Sequence, residues 1–401
     1  MIALFKTGMN ILYIGTLHPH PGGSAISGSQ IVTHLAKRDH KVFAIAPITD
    51  TDAANLSHFN SLIPKTTIFR YTVPYYNTST HSQFSHEYSN KERNSILSIL
   101  PSVLIKCDPD IIMLGRETFI WDIPKAVKNH KAKVVLRVAG ATTLGIFNNT
   151  LPQDVAEMFL TEYRKSDLLI TPANHILKHL KSVGINNCVH IPNAVNTSKF
   201  SPSENGMSIK DRYSIPHQNV VVSHISGLES IKRPMDFILA AEGILKRKKN
   251  VTFLIIGNGP CYYEMTSYCK EKNIENDFRF TGWIDYEIVN TYFAATDIVV
   301  MPCETDTQPR VYLEAMSSGC ALIASSIDAS KEIINDRRTG VLYKSGDIFQ
   351  LSAAIEDLID NPILRHNLQV SARDYIINNH KWDSITSLYE NNFENLLKSY
   401  L

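Results

Sequence analysis

Two carboxylates flank a proline in the stretch DTQPRVYLEAMSSG, residues 306–319. Asp306 precedes the proline, and Glu314 follows eight positions later in a segment with helical spacing. Pro309 suits the first position of that helix, because its missing N–H costs nothing there. Glu314 would then lie about one turn into the helix, where its carboxylate could accept two hydroxyl hydrogens, as a ribose diol offers. Asp306 could bind hydroxyls of a group that lies beyond the phosphates of the same ligand, or it could cap the turn.

The start of this predicted helix is suited to a phosphate group. The N–H groups of Arg310, Val311 and Tyr312 would have no intrahelical partner, and the helix dipole would add positive potential beside them. Two adjacent cations, Lys232 and Arg233, follow another apolar segment at the start of a second predicted helix. A pair of cations suits a diphosphate, and a solvated pair at a helix start is the alternative.

Glycines in two further loops could let a ligand approach the backbone closely. Gly22 and Gly23 lie between a predicted strand and a predicted helix. That loop does not match the dinucleotide fingerprint G-x-G-x-x-G, and no acidic residue closes the next strand, so NAD binding is not favoured. A ligand-facing loop and a tight turn before a surface helix both stay open there. Gly257, in GNGP (257–260), lies either in a ligand loop or in a simple turn.

The chain has 401 residues, which suits two domains of about 150–200 residues each. Forty Lys and Arg against thirty-nine Asp and Glu leave a net charge of +1, so the overall charge attracts neither nucleic acid nor an anionic membrane. No apolar run reaches the roughly 20 residues of a membrane span, and the first residues do not read as a signal peptide. Six cysteines without Cys-x-x-Cys spacing predict reduced, mostly buried thiols in a cytoplasmic protein.

Short apolar segments alternate with longer amphipathic ones, which is typical of βα units and parallel sheets. The predicted strands form two series separated by a polar segment at 196–218, and an amphipathic helix follows at 380–401. The first series is 10–16, 41–47, 110–114, 133–140, 167–173 and 188–194; the second is 220–226, 251–259, 277–283, 297–303 and 320–326. The pattern predicts an α/β protein with two Rossmann-like halves.

The second half resembles the donor-binding half of family-4 retaining glycosyltransferases of the GT-B fold (glycosyl transferases group 1). The hallmark of that family is Glu-x7-Glu followed by Ala-Met and a small-residue glycine turn; here it stands as Asp306-x7-Glu314 and AMSSG. Further similar motifs, in the order of the family, are IPNAVNTSKFSP (191–202), GNGP (257–260), FTGW (280–283), KEIINDRRTGVLY (331–343) and Trp382. Together these motifs run from residue 191 to residue 382.

The resemblance implies two Rossmann-like domains facing a central cleft: an acceptor-binding domain at 1–200 and a nucleotide-sugar-binding domain at 201–380. A C-terminal helix at 381–401 would cross back to the first domain. The implied activity is metal-independent, cofactor-free, retaining hexosyl transfer from a nucleotide-sugar to a hydroxyl acceptor that is a sugar, a lipid-linked group or a small molecule. A UDP-sugar is the first choice and a GDP-sugar the second. Polysaccharide or cell-envelope glycoconjugate synthesis in the cytoplasm is the implied setting, with a peripheral contact at the inner face of the membrane if the acceptor is lipid-linked.

The resemblance also assigns roles to individual residues. Glu314 would bind the ribose, and Asp306 would face the donor sugar. The backbone of Trp283 and Ile284 would contact the base, and Lys232 would bind a phosphate. The backbone amides of Arg310 and Val311 would bind the distal phosphate. Gly22 and Gly23 would border the phosphates.

This chain departs from the family pattern at several positions. Asp306 replaces a Glu and is one methylene shorter, and Glu304 could take its place. The phosphate-binding Arg of the family is Gly227 here, with Arg233 as the nearest substitute. A first-domain His is missing from LRVAGATT, where Arg137 and Thr142 are the polar candidates. Glu117 is expected near the same cleft, and His18 and His20 beside the glycine loop are further options.

Two other functions fit the same fold. A catalytically inactive sugar-nucleotide-binding protein would be consistent with the missing His and Arg. A GT-B epimerase or phosphorylase would need inward acid–base carboxylates or a lysine for pyridoxal phosphate, and no motif indicates either. The acceptor would be selected by first-domain loops at 74–87 and 145–157.

Overall fold

The computed structural model describes residues 8–75, 86–202 and 205–398. Most of the predicted acceptor loop at 74–87 therefore lies outside the described residues. The chain divides into two compact units, one of residues 1–193 with 383–401 and the other of residues 194–382. The division falls at Asn193 and Ala194, whereas the predicted boundary was at 200 and 201.

The first unit contains a seven-stranded parallel sheet in the order β3-β2-β1-β4-β5-β6-β7. Its strands are β1 Asn10–Ile14, β2 Lys41–Thr49, β3 Thr66–Val73, β4 Ile111–Leu114, β5 Lys133–Arg137, β6 Leu168–Thr171 and β7 Cys188–His190. Its helices are α1 Gly23–Lys37, α2 Asp50–Ala53, α3 Leu56–Ser61, α4 His86–Cys107, α5 Ile123–Ala126, α6 Ala141–Phe147, α7 Gln153–Lys165 and α8 Asn174–Ser182. A short 3-10 helix, Glu117–Trp121, follows β4.

The second unit contains a six-stranded parallel sheet in the order β10-β9-β8-β11-β12-β13. Its strands are β8 Val220–Ile225, β9 Val251–Ile256, β10 Phe278–Phe280, β11 Ile298–Met301, β12 Ala321–Ser325 and β13 Val341–Tyr343. Its helices are α9 Met207–Arg212, α10 Pro234–Leu245, α11 Tyr262–Glu271, α12 Val289–Ala294, α13 Arg310–Ser317, α14 Asp328–Ile333, α15 Ile348–Asp360 and α16 Pro362–Asn379. Two 3-10 helices, Ser230–Lys232 and Glu275–Asp277, complete it.

The last helix, α17 Trp382–Lys398, belongs almost entirely to the first unit. Its Glu390 accepts a hydrogen bond from Arg38 at 3.5 Å and lies 3.0 Å from the His40 ring nitrogen. Arg38 also donates to the Asp383 carbonyl at 2.8 Å. These contacts tie the C-terminal helix to the residues just after α1.

The sequence pattern predicted every strand except β3 and β13, and both missed strands lie at sheet edges. β3 pairs along its full length with β2, but half-buried and exposed residues alternate irregularly in it, so its hydrophobic signal is weak. β13 has three residues, which is too short for a periodic pattern.

Each sheet is doubly wound, with a point where the strand order reverses. In the second unit the chain runs outward from β8 to β10 on one side and from β11 to β13 on the other. The loops after β8 and β11 therefore diverge and leave a crevice at the carboxyl edge, where ligands of open α/β sheets bind. The corresponding point in the first unit lies between β1 and β4.

Tyr13 shows how closely the first unit is packed beside its reversal point. This buried β1 side chain lies against Gly15, Gly28 and Gly115, and a Cβ added at any of the three would come within 2.8 Å of the Tyr13 hydroxyl oxygen. The three glycines thus make room for one phenol ring. Both units have extensive apolar cores, and five of the six cysteines are buried, with Cys261 half-buried.

Candidate active site

Three loops meet at the carboxyl edge of the second sheet. Leu228, after β8, donates its N–H to the Asn258 carbonyl at 3.0 Å and accepts from the Cys261 N–H at 2.9 Å. Glu304, after β11, donates its N–H to the Ile231 carbonyl at 2.9 Å. The loop after β8, which carries Lys232 and Arg233, is therefore hydrogen-bonded both to the GNGP loop and to the loop that leads to Asp306.

Lys232 and Asp306 form an ion pair across this reversal point. The Lys232 Nζ lies 2.5 Å from Asp306 Oδ2, and the two side chains are 26% and 18% exposed. The other carboxylate oxygen, Oδ1, accepts from the Thr307 N–H at 2.7 Å. Burial acts to lower the pKa of Lys232, but the electrostatic interactions and hydrogen bonds with Asp306 and Cys303 together outweigh it, and the pKa is raised. Lys232 is therefore a fixed positive charge at neutral pH.

Arg233 lies beside this pair but has its own partner. It takes a left-handed conformation (φ 49°) between the 3-10 helix and α10. Its Nε and Nη2 donate to the two oxygens of Asp236 at 2.7 and 3.2 Å. The hydrogen bond to Asp236 raises the pKa of Arg233. Two of its donors are therefore engaged with α10, and its role toward a diphosphate stays a prediction.

The start of α13 differs from the predicted one by a single position. Pro309 is the N-cap, with extended backbone (φ −62°, ψ 121°), and Arg310 is the first helical residue. The Tyr312 N–H donates to the Pro309 carbonyl at 3.2 Å, so the expectation that it would be unpaired was wrong. Asp306 makes no side-chain cap for this helix. The predicted roles of the Arg310 and Val311 amides are untouched by this correction.

Glu314 lies on α13, where it is 7% exposed. Its Oε1 accepts from the Tyr286 hydroxyl at 3.0 Å and from Arg310 Nη2 at 3.2 Å. Arg310 Nη2 also donates to the Tyr286 hydroxyl at 2.8 Å. The three side chains form a closed triangle, so the structure adds the Tyr286 side chain and the Arg310 guanidinium to the residue expected at a ribose.

The loop after β9 supports the neighbouring segment at 282–284. Gly257 has φ 134°, and a Cβ there would lie 1.9 Å from the Ser226 carbonyl oxygen, so this position accepts only glycine. Its N–H donates to the Gly282 carbonyl at 2.9 Å. Trp283, the next residue, is 65% exposed, and Ile284 packs on the core. Their backbone therefore lies at the same edge of the sheet as the loop, and Glu304 is exposed there too.

In the first unit, Gly22 and Gly23 are exposed at the start of α1. Gly22 is the N-cap with φ 99°, and no atom lies within 4 Å of a Cβ added to it. His20, before this cap, is buried, and burial lowers its pKa to about 4. His18 donates its N–H to the Ser29 hydroxyl at 2.9 Å. These glycines keep the start of α1 open, while the His20 ring is neutral at ordinary pH.

The polar candidates of the first unit have internal partners. The Glu117 carboxylate accepts from the Gly140 N–H at 2.8 Å, the Thr143 N–H at 3.0 Å and the Tyr163 hydroxyl at 3.1 Å. Burial raises its pKa. Glu117 thus anchors the start of α6.

Arg137 and Thr142 are also buried. Arg137 ends β5, and its Nη2 donates to the Asn193 side-chain oxygen at 2.6 Å. Its guanidinium also lies near the buried Tyr389 of α17. Both residues lie in the interior of the first unit, whereas Lys232, Asp306 and Glu314 belong to the second unit.

One polar pair, the buried His224 and the half-buried Ser226, was not predicted from the sequence. His224, near the end of β8, lies 3.0 Å from the Val300 carbonyl and 2.7 Å from the Ser226 hydroxyl. Because the carbonyl can only accept, Nδ1 carries the proton and Nε2 accepts from Ser226. Burial lowers the pKa of His224 to about 4. A histidine inside the apolar run VVVSHI is the signal that could have found it.

None of the helices in the described ranges is both long and apolar enough to cross a membrane. None of the His, Cys, Asp and Glu side chains in those ranges form a group of three or more with the geometry of a metal site.

Known proteins similar to this chain agree on one class. Residues 208–375 match the family described as glycosyl transferases group 1. The chain is 23% identical to N-acetyl-alpha-D-glucosaminyl L-malate synthase of Bacillus anthracis over 96% of both chains. It is 26% identical to a GDP-mannose-dependent alpha-(1-6)-phosphatidylinositol monomannoside mannosyltransferase of Mycolicibacterium smegmatis, over 48% of this chain and 52% of that protein.

A solved structure agrees with the fold. The Anabaena protein HepE in complex with UDP and glucose superposes with a TM-score of 0.77 at 15% identity, covering 96% of this chain and 100% of that one. Two doubly wound parallel sheets, the family match in the second unit and the nearly full-length relative point the same way. Residues 208–375 in the second unit thus match the glycosyl transferases group 1 family, and the chain has the fold of the GT-B glycosyltransferases.

Proposed function

We propose that this chain transfers a hexosyl group from a nucleotide-sugar, in the first place a UDP-sugar, to a hydroxyl acceptor with retention of anomeric configuration and without a metal ion. The observation that carries the proposal is the position of Lys232, a fixed cation held by Asp306 at the strand-order reversal of the second sheet. The same β11 loop leads into α13, which carries Glu314. A cation for a diphosphate and a carboxylate for a diol thus lie on adjoining elements.

Lys232 and the first amides of α13, those of Arg310 and Val311, bind the diphosphate in this proposal. Glu314 accepts hydrogen bonds from the ribose hydroxyls, and the backbone of Trp283 and Ile284 contacts the base. Gly257 permits the close approach of the β9 loop that supports this segment. Asp306, or the exposed Glu304, faces the donor sugar. Gly22 and Gly23 belong to the phosphate border, and Arg233 contributes charge beside Lys232.

The reaction breaks the bond between the anomeric carbon and the phosphate oxygen, and its electron pair passes to that oxygen. The growing negative charge is stabilised by Lys232 and the α13 dipole, which are already in place before reaction and need little reorganisation. The acceptor oxygen forms the new bond on the face that the nucleotide leaves, which retains configuration. Its proton passes to the departing phosphate oxygen. No protein nucleophile enters this mechanism.

The relatives support the donor and acceptor classes in this proposal. One is named for GDP-mannose and phosphatidylinositol monomannoside, and the similar structure holds UDP and glucose. We place the chain accordingly in polysaccharide or cell-envelope glycoconjugate synthesis in the cytoplasm, with a peripheral contact at the inner membrane face for a lipid-linked acceptor. Sugar and small-molecule acceptors belong to the same chemistry.

A thermal-shift panel tests the donor site. UDP, GDP, ADP and NAD, and their common sugar conjugates, are each added with and without EDTA. Stabilisation by one nucleoside diphosphate and its sugar, unchanged by EDTA, is the expected result and identifies the base. Stabilisation by NAD alone, or loss of the effect with EDTA, would overturn the proposal.

Turnover tests the activity itself. With the sugar nucleotide found by that panel, release of the nucleoside diphosphate in the presence of candidate hydroxyl acceptors is measured by chromatography. Lys232→Met and Glu314→Ala are expected to lower the rate by at least about tenfold while the protein stays folded, because each removes a charged contact. Unchanged kinetics in both variants would show that the reaction takes place elsewhere.

A further inference from the structure

Tyr286 is the residue that closes the triangle around Glu314. Its hydroxyl lies 3.0 Å from Glu314 Oε1 and 2.8 Å from Arg310 Nη2. Arg310 reaches the same Glu314 oxygen at 3.2 Å, one helical turn away on α13. Tyr286 comes from a different segment, the loop before α12, so the triangle joins this loop to α13.

The direction of each hydrogen bond follows from chemistry. A guanidinium can only donate, so the Tyr286 oxygen accepts from Arg310. An ionised carboxylate can only accept, so the Tyr286 proton points to Glu314. Burial, and after it the charge of Glu314, raises the pKa of Tyr286 above its ordinary value, so the hydroxyl keeps this proton at neutral pH. The hydroxyl therefore relays the polarisation of Arg310 onto one carboxylate oxygen.

The ring of Tyr286 is itself held in place. Lys199 Nζ donates to the Tyr286 carbonyl at 2.9 Å and lies 4.7 Å from the ring centroid. The Phe200 ring packs at 5.9 Å on the same side chain. The Arg310 guanidinium lies 5.7 Å from the ring centroid. Two cations and one aromatic ring thus fix the phenol before any ligand is present.

The two oxygens of the Glu314 carboxylate differ in their hydrogen bonds. Oε1 accepts both hydrogen bonds, whereas Oε2 accepts none from any residue that the structure describes. Oε2 is not among the buried side-chain atoms that lack a partner, so it is accessible to solvent. Holding Oε1 at two points fixes the plane of the carboxylate and the direction of Oε2.

We infer that Tyr286, backed by Arg310, is a positioning residue that aims Glu314 Oε2 at the ribose hydroxyls of the donor. The inference rests on the proposed function, since it assumes a nucleotide at this site. It assigns the side chains of Tyr286 and Arg310 to selection of a ribonucleotide donor, because a sugar ring without its diol gains nothing from the preset carboxylate.

Isothermal titration tests this with UDP and 2′,3′-dideoxy-UDP, and with GDP and its dideoxy form in parallel. The measured quantity is the ratio of the two dissociation constants, in wild type, Tyr286→Phe and Glu314→Gln. Tyr213→Phe is the matched control, since its hydroxyl lies 3.3 Å from the Tyr292 hydroxyl in the same core and touches neither Glu314 nor Arg310. Thermal melting of each variant checks that it is folded.

We expect wild type to prefer the diol and Glu314→Gln to lose that preference. Tyr286→Phe should reduce it by about three- to tenfold, the effect of losing one such hydrogen bond, with binding of the dideoxy form unchanged. Tyr213→Phe should keep the wild-type ratio.

Other outcomes distinguish a failure of the positioning role from a failure of the donor site. A wild-type ratio in Tyr286→Phe, or equal weakening of both nucleotides, would overturn the positioning role while the loss in Glu314→Gln still supported the donor site. A wild-type ratio in Glu314→Gln, or no binding of UDP and GDP to wild type, would overturn the donor site and the positioning role together.

Discussion

Replacing Asp306 by Asn separates two roles that the ion pair with Lys232 could have. The substitution keeps the shape of the side chain and one acceptor oxygen but removes the charge that lies 2.5 Å from Lys232 Nζ. In the free protein, Asp306 is the counter-ion of Lys232. In the proposed complex, a phosphate approaches the same ammonium, so the carboxylate and the phosphate compete for it.

The structure sets the size of the effect on stability. Side-chain exposures of 26% and 18% place this pair between surface pairs, worth about 0–1 kcal/mol, and fully buried ones, which cost about 3–5 kcal/mol to break. The substitution turns an ion pair into a hydrogen bond from a charged ammonium to a neutral amide oxygen, which fits the middle of that range, so Asp306→Asn should cost about 2 kcal/mol. For a unit of this size the melting temperature should fall by about 4–8 °C.

The effect on ligand binding should have the opposite sign. Without the competing carboxylate, Lys232 is available to phosphate, and titration calorimetry should show UDP binding about three- to tenfold more tightly to Asp306→Asn. Lys232→Met should instead bind UDP at least about tenfold more weakly. Asp360→Asn, which removes a mostly exposed partner of Lys248, is the control and should change stability by no more than about 1 kcal/mol.

One result would contradict the competition between Asp306 and the phosphate for Lys232. If Asp306→Asn weakened UDP binding as much as Lys232→Met does, the carboxylate would be needed to hold Lys232 in its binding position and would not compete with the phosphate. A loss of turnover in Asp306→Asn with tighter UDP binding would agree with the predicted contact between Asp306 and the donor sugar.

Three further predictions concern stability. Gly115→Ala should lower the melting temperature, because its Cβ would lie 2.0 Å from the Tyr13 hydroxyl oxygen, and should cost about 1–3 kcal/mol. Glu117→Ala should cost about 3 kcal/mol or more by calorimetry, since it removes the acceptor of the Gly140 N–H, the Thr143 N–H and the Tyr163 hydroxyl. The pKa of His224 is near 4 in the folded protein against an ordinary 6.5, so lowering the pH from 7 to 5 should reduce the free energy of unfolding by about 2 kcal/mol.

Each of these has a matched comparison. In a Tyr13→Leu background the cost of Gly115→Ala should largely vanish, and an unchanged cost would show that the clash is not with the phenol. Tyr163→Phe should cost clearly less than Glu117→Ala, and equal costs would contradict the role of Glu117 at α6. The stability supplied by neutral His224 is complete above pH 6.5 and lost as pH falls toward 4, so His224→Asn should flatten the pH dependence there. An identical slope in that variant would assign the dependence to other groups.

Much of the fold could be predicted from local patterns. Apolar runs such as VTFLII and IVVM are buried on both faces, so their hydrophobic signal is strong, and the strands β9 and β11 lie where expected. The edge strands β3 and β13 were missed because one is irregularly exposed and the other is three residues long. The start of α13 was predicted one residue too early, at Pro309 instead of Arg310.

In the candidate site, the location of the residues could be predicted from the sequence, but their ion-pair partners could not. Sequence spacing located Lys232, Asp306 and Glu314, because the ends of parallel strands meet at one edge of a sheet. It did not reveal that Lys232 pairs with Asp306 and Arg233 with Asp236, since ion pairs depend on distances between segments. Glu117 was taken for a cleft residue, yet its buried carboxylate accepts three hydrogen bonds inside the first unit.

The alternation of strands and helices, and with it the two Rossmann-like series, follows from local sequence, because hydrophobic periodicity and turn residues act over a few neighbours. Which charges meet, and which hydroxyl completes the Glu314 triangle, depends on how distant segments pack. Tyr286 lies 28 residues from Glu314 and 24 from Arg310 along the chain, and no local pattern links them. Their contact exists because the loop before α12 packs on α13, and packing between distant segments is set by the whole core.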